Sequence, residues 1–231
     1  MTDRTAILAK LARLAAANAS QQHLAARLCE ASRLILGAEG AWITVQDGSE
    51  ARVPLSATDQ IAASLEDLQD VVGQGPCLDA YRNGTAETMT VRDQPDRRWP
   101  EFSRAAWHRV GSVHINAYPM RPGADTFGVL SIYFTTPREP AEPHESAQFL
   151  ADAVGAALLR DPVPREGHLG EGMWSTRAEL HQATGMVIAQ LRIPAEDAMA
   201  ILRAHAYAHD TTLADIAHQV ISRQIDFRGD S

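Results

Sequence analysis

Few residues in this sequence have the type and spacing to do chemistry, and each has a structural reading beside the functional one. Cys77 follows Gly75-Pro76. A thiol at the exposed start of a helix has a lowered pKa and can act as a redox sensor. The plainer reading is a small apolar residue buried where a turn enters a helix. His114, Asn116 and Tyr118 alternate along one strand and so share a face. That row suits a ligand pocket, solvent or a partner; with Cys77 it makes up the candidate ligand site. His205 and His209 stand one helical turn apart, the spacing of a metal pair, with no third ligand nearby in sequence. We expect surface or core histidines there and no metal. The sequence has no GxSxG elbow, no HExxH helix and no glycine-rich phosphate loop ahead of a helix. Its acids and histidines form no catalytic pair. Neither catalysis nor a cofactor is expected.

Apolar periodicity marks the elements that must position these residues. Residues 4–36 read as helix, with Ile7, Leu8, Leu11, Leu14 and then Leu24, Leu28, Ala31, Ile35 at three- and four-residue spacing. Gly37 ends it, and Asn18-Ala19-Ser20 splits it, with Ser20 as the second cap. Residues 41–45 and 51–55 are strand candidates around the hairpin signal Asp47-Gly48. Residues 56–68 read as helix, with Ser56 and Asp59 at capping-box spacing. A weaker strand covers 85–91, and Pro100 introduces a helix over 99–110. The strongest strands are 112–118 and 127–135, followed by a helix over 142–160. Helices flanking short strands without strict βαβ alternation predict an α+β domain with a mostly antiparallel sheet. Residues 161–172 hold two prolines and three glycines and read as a linker. Three helices follow: one from a Ser175 cap to Gln190, one from Pro194 to Tyr207, and one over 213–221 behind Thr212 and Asp215. So small a bundle has a limited core and gains from a partner.

Composition narrows the class. The chain has 231 residues, 45% apolar and 22% charged, so it folds. No apolar run approaches the roughly 20 residues that cross a bilayer. Two cysteines cannot make a disulfide scaffold. A net charge of −8 argues against a general nucleic-acid coat and against an anionic membrane surface. Lys10 is the single lysine, a skew that reads as GC-rich coding bias. Ala17-Asn18-Ala19 resembles an export cleavage site, but Lys10 and Arg13 interrupt the apolar stretch before it. A cytoplasmic, reduced protein with Cys29 and Cys77 as free thiols is expected.

The run Ala178-Glu-Leu-His-Gln-Ala-Thr-Gly-Met-Val-Ile-Ala-Gln190, with Glu196-Asp-Ala-Met-Ala-Ile-Leu-Arg-Ala-His-Ala206 and Leu213-Ala-Asp-Ile-Ala217, resembles the ANTAR family. Ala183, Gly185, Ala198, Leu202, Arg203, Ala206 and Leu213 fall on its pattern in order. Leu68-Gln69, Gly73-Gln-Gly-Pro-Cys-Leu-Asp-Ala80, Asp93, Asp96-Arg-Arg-Trp-Pro100 and Phe102 resemble the GAF domains of actinobacterial GAF–ANTAR regulators. The resemblance implies a GAF-like antiparallel sheet flanked by helices, followed by a three-helix ANTAR-like bundle. It further implies transcription antitermination: a homodimer whose paired bundles bind hairpins of nascent RNA, governed by a small molecule or partner sensed in the GAF-like part. The expected division is an N-terminal helix over 1–19, the sensor over 20–160, a linker over 161–172, the RNA-binding bundle over 173–224 and a tail over 225–231.

The residues themselves give RNA binding little charge. From Met173 onward five arginines face seven carboxylates, leaving −2, whereas RNA affinity normally draws on phosphate neutralisation. Thr184 stands where the family often has lysine. Candidate contacts are Arg177, Gln182, Thr184, Gln190, Arg192 and Arg203, with Tyr207 able to stack on a base. Arg203 reads equally as a partner for an acid such as Asp215. Gly185, mid-helix, is expected to permit close helix packing. Two rival readings stay open: a protein-interaction module without RNA binding, and a redox or small-molecule sensor alone. Pro162 and Pro164 argue against a rigid coiled coil joining the two parts.

Overall fold

In the computed structural model, residues 3–17, 23–46, 52–160, 171–209 and 211–228 are described, with the backbone alone for residues 171–178, His181 and Glu196. Five strands form one antiparallel sheet: β1 (Gly40–Gln46), β2 (Arg52–Ala57), β3 (Glu87–Val91), β4 (Val113–Met120) and β5 (Gly128–Phe134), in the order β2-β1-β5-β4-β3. Helices cover both faces, so β5 is buried at every residue. Its side chains alternate between two cores. Leu130, Ile132 and Phe134 meet α1 (Arg4–Ala17), α2 (Leu24–Leu36) and α6 (His144–Arg160). Val129 and Tyr133 meet α3 (Gln60–Val72), α4 (Pro76–Asn83) and α5 (Pro100–Val110). The α+β class and the antiparallel sheet agree with the sequence reading. A third core joins α7 (Glu171–Leu191), α8 (Ala195–Ala208) and α9 (Leu213–Ile221), and Val71 of α3 belongs to it.

Several helix ends differ from expectation. The side chain that caps α2 is His23, whose Nδ1 accepts from the Ala26 amide at 3.2 Å; Ser20 lies outside the described residues. Gly37 closes α2 in the left-handed conformation, as expected. Ser56 is a residue of β2, and Asp59 alone caps α3. The same Asp59 carboxylate accepts from the Tyr133 hydroxyl, and Gly40 makes room for both. A Cβ at Gly40 would come within 2.2 Å of each side chain. Ser175 lies inside α7, which begins at Glu171. Thr212 and Asp215 do form the reciprocal capping box. The Asp47-Gly48 turn and residues 161–170 of the linker lie outside the described residues.

Both edges of the sheet carry a blocking residue. Pro54 sits in β2, where it removes a main-chain donor. At the other edge Arg98 Nη2 donates to the Thr88 carbonyl of β3 at 2.8 Å, its guanidinium lying over the Trp99 ring.

The His23 cap makes a pH-dependent contribution. Burial, and then Arg27, hold His23 below its ordinary value of 6.5. The folded state therefore binds fewer protons there than the unfolded chain, so this stability is full above pH 6.5 and is lost as pH falls through the folded value. His23→Asn keeps a cap acceptor without a titrating group. Thermal unfolding between pH 7 and pH 5 should lose less stability in this variant than in the parent; equal slopes would assign the loss elsewhere.

Candidate nucleic-acid interface

Helix α7 has two unlike faces. Ala183 and Val187 are fully buried against Ala198, Leu202 and Ala206 of α8 and Ile216, Ala217 and Val220 of α9. On the opposite arc Gln182, Gly185, Ala189 and Arg192 are exposed together. A Cβ at Gly185 would meet no atom within 4 Å, so this glycine does not serve close packing within the bundle. It leaves a bare stretch of backbone between a glutamine and an arginine. Arg192 follows the last helical turn at φ 56°, its amide bonded to the Ile188 carbonyl at 2.8 Å.

The remaining RNA candidates sit elsewhere. Thr184 is buried and its hydroxyl donates to the Leu180 carbonyl at 2.7 Å, so it is withdrawn as a phosphate contact. The Gln190 side chain accepts from the Phe227 amide at 3.1 Å and pins the segment after α9. Arg203 Nε donates to the Asp70 carbonyl at 3.1 Å, which turns it onto α3 and away from the α7 face. The side chain of Arg177 lies outside the described residues. His205 and His209 rings stand 4.3 Å apart, with Phe227 edge-on to His205. Among the described residues, no three His, Cys, Asp or Glu side chains are grouped to hold a metal ion.

Beneath the bundle, α3 carries a buried ionic cluster that the sequence reading did not find. Arg52 donates through Nη2 to Glu66 at 2.6 Å and through Nη1 to Asp70 at 2.8 Å. Trp42 Nε1 donates to the other Glu66 oxygen at 2.7 Å. Burial alone would lower Arg52, but Glu66 and Asp70 hold it above its ordinary value. Burial raises Asp70 to about 6 against the pull of Arg52. The legible signal was the pair of carboxylates at i and i+4, Glu66 and Asp70, which share one face of α3. Arg52, 14 residues away from Glu66 in another element, gave no local clue.

Family models match this architecture twice: a GAF domain over residues 18–159 and an ANTAR domain over residues 173–221. The chain belongs to the GAF domain family, with an ANTAR domain behind it. Both are regulatory domains: ANTAR domains bind RNA, and GAF domains often bind small ligands. Among solved structures, the chain is similar to the A. aeolicus nlh2 GAF domain in an inactive state, at 12% identity and TM-score 0.43 over 67% of this chain and 92% of that one. It is also similar to the GAF-B domain of DevS from Mycobacterium smegmatis, at 17% identity and TM-score 0.38 over 57% and 88%. No curated protein matches it.

In this GAF domain the four ligand-site candidates do not meet. Cys77 lies on the α3–α4 side of the sheet, whereas Tyr118 of the β4 row belongs to the core under α6. Cys77 is fully buried, accepts from Gln69 Nε2 at 3.1 Å and shares a hydrogen bond with the Ser131 hydroxyl at 2.9 Å. Burial, then Glu66, push its thiol up to about 12. Low exposure and a raised pKa remove it as a redox sensor. Asn116 accepts from the Thr88 hydroxyl, Tyr118 bonds His144, and His114 bonds Thr90. These bonds commit most of the row's polar atoms to its neighbours, and the buried Asn116 Nδ2 has no partner among the described residues.

Two outcomes follow for the GAF domain. Neither Cys29 nor Cys77 should react with a thiol reagent at pH 8 faster than the chain unfolds; rapid native labelling of one thiol would contradict the burial. Glu66→Gln should cost about 3 kcal/mol or more in urea unfolding, because it takes one carboxylate from a buried guanidinium.

Proposed function

We propose that this chain is an antitermination regulator in which the paired ANTAR bundles of a homodimer bind hairpins of nascent RNA. The observation that carries this reading is the ANTAR match over residues 173–221, folded as three helices with an exposed polar face on α7. Gln182 and Arg192 are the contacts on that face. The bare backbone at Gly185 lets RNA or a second bundle approach closely. Arg177, on the same helix, is a further candidate. With so few cations, affinity depends on two bundles acting on one RNA, which raises effective concentration.

Dimerisation draws support from the helical layer on the other side of the sheet. Leu8 of α1, Leu34 of α2 and Leu159 of α6 are 43%, 45% and 57% exposed, so this helical layer offers large apolar side chains to a partner. The GAF domain is the sensing part, and the site of action is the cytoplasm, where nascent RNA is made. Among the described residues, no helix is long and apolar enough to cross a membrane.

The test is binding of the full chain to a two-hairpin RNA, a single-hairpin RNA and an unstructured RNA of equal length, each at two salt concentrations. A preference for two hairpins that weakens about tenfold in Arg192→Gln is expected. Gly185→Leu separates fold from function: it should leave thermal stability level or higher, since glycine costs about 1 kcal/mol in a helix interior, while weakening RNA binding. Equal, weak binding to all three RNAs would sink the reading.

A further inference from the structure

The face of the GAF sheet under α3–α5 is closely packed. Trp42, Phe102, Trp99, Tyr133 and Met89 pack between the sheet and α3–α5, each no more than 4% exposed. The open space lies instead at the seam between the two domains. A groove of about 470 Å³ runs between the end of α3, the start of α5 and the outer face of α8. That volume lies within the roughly 300–1,000 Å³ of small-molecule sites.

The walls of this groove define what fits it. Val72 and Gly73 lie on one side, with Ala200 and Ala204 on the other, so the floor is apolar and shallow-contoured. A Cβ at Gly73 would meet nothing within 4 Å. Tyr207 lines the groove and is 54% exposed, which leaves a large aromatic surface open to it. Arg203 supplies the charge. Its Nε is fixed to the Asp70 carbonyl at 3.1 Å, and its terminal nitrogens make no hydrogen bond to any described residue. Arg52 takes Asp70 Oδ1, and the Asp70 carboxylate acts on Arg203 through space without a hydrogen bond to it. The one acid of the lining, Glu101, is paired with Arg104.

We propose that this interdomain groove is a binding site for a small aromatic carboxylate. The ring lies on the alanine floor against Tyr207, where offset stacking adds to apolar burial. The carboxylate takes the two terminal Arg203 nitrogens in a bidentate pair, the geometry a guanidinium fork favours. The ligand touches both domains at once, so it binds only the arrangement in which α8 rests on α3, and its occupancy stabilises that arrangement. The site stands on the groove itself and does not depend on the RNA reading.

The test uses the full chain with 2-naphthoate as probe and its uncharged analogue 2-naphthamide as control, both by calorimetric titration. One saturable site per chain is expected for naphthoate. Naphthamide should bind about tenfold or more weakly, and Arg203→Gln should weaken naphthoate by a similar factor. Ala200→Trp, at an exposed position, fills the groove and should abolish binding while the circular dichroism stays unchanged; Ala204→Trp serves the same purpose if it does not. Arg121→Gln lies in a separate polar cleft beside Arg82 and Thr126 and should change nothing. Hydrogen exchange should slow at the end of α3 and along α8 when naphthoate binds. No saturation by about 1 mM, equal binding of the neutral analogue, or binding lost in Arg121→Gln but retained in Ala200→Trp would each overturn the proposal. RNA titrations with and without naphthoate are read separately, so a failed RNA assay leaves the groove measurement intact.

Discussion

A guanidinium with 6% of its side-chain surface exposed demands carboxylates, and the placement of Arg52 governs much of this molecule. Leaving such a charge unpaired costs several kcal/mol, so Glu66 and Asp70 must lie against β2. That requirement fixes the rotation of α3 about its own axis. With Glu66 and Asp70 turned toward the sheet, Val71 and the Asp70 carbonyl are presented to the C-terminal bundle. One charged pairing in the GAF domain thus decides which surface the ANTAR domain rests on. The Trp42 indole joins the same cluster through Glu66, tying the inner strand β1 to the platform.

The rest of the GAF interior is built on the same economy of polar groups. Gln69 accepts from the Cys77 amide through its side-chain oxygen and donates to the Cys77 sulfur through its nitrogen. A glutamine on α3 therefore caps α4, whose preceding residue Gly75 has φ 144° and leaves no space for a Cβ beside Gln69. The Gly-Gln-Gly-Pro-Cys segment conserves neither a redox thiol nor a ligand loop in its geometry. It is the joint that seats two successive helices over one sheet face.

Much of this was legible in the sequence. Alternation marked the β4 row, Gly37 marked the end of α2, and Pro100 marked the start of α5. Caps were harder, because Ser20, Ser56 and Ser175 are locally as suitable as the residues the fold uses. Alternation showed that His114, Asn116 and Tyr118 share a face but could not say which layer covers it, since both layers are apolar. Long-range pairing was the blind spot. Arg203 meets Asp70 across 133 residues, and no spacing rule links them. Exposure of Gly185 was equally hidden, because a helix period gives the buried arc without saying whether a small residue outside it is covered by another element.

The two edges of the sheet carry a consequence of their own. A proline in β2 and an arginine clamped onto the β3 backbone deny an incoming strand its main-chain partners. Growth of this sheet by strand addition, whether into a swapped dimer or a fibril, is obstructed from both directions. Any association between copies of the chain is thereby steered from the sheet edges toward the helices, where side chains set the register and an assembly can be finite.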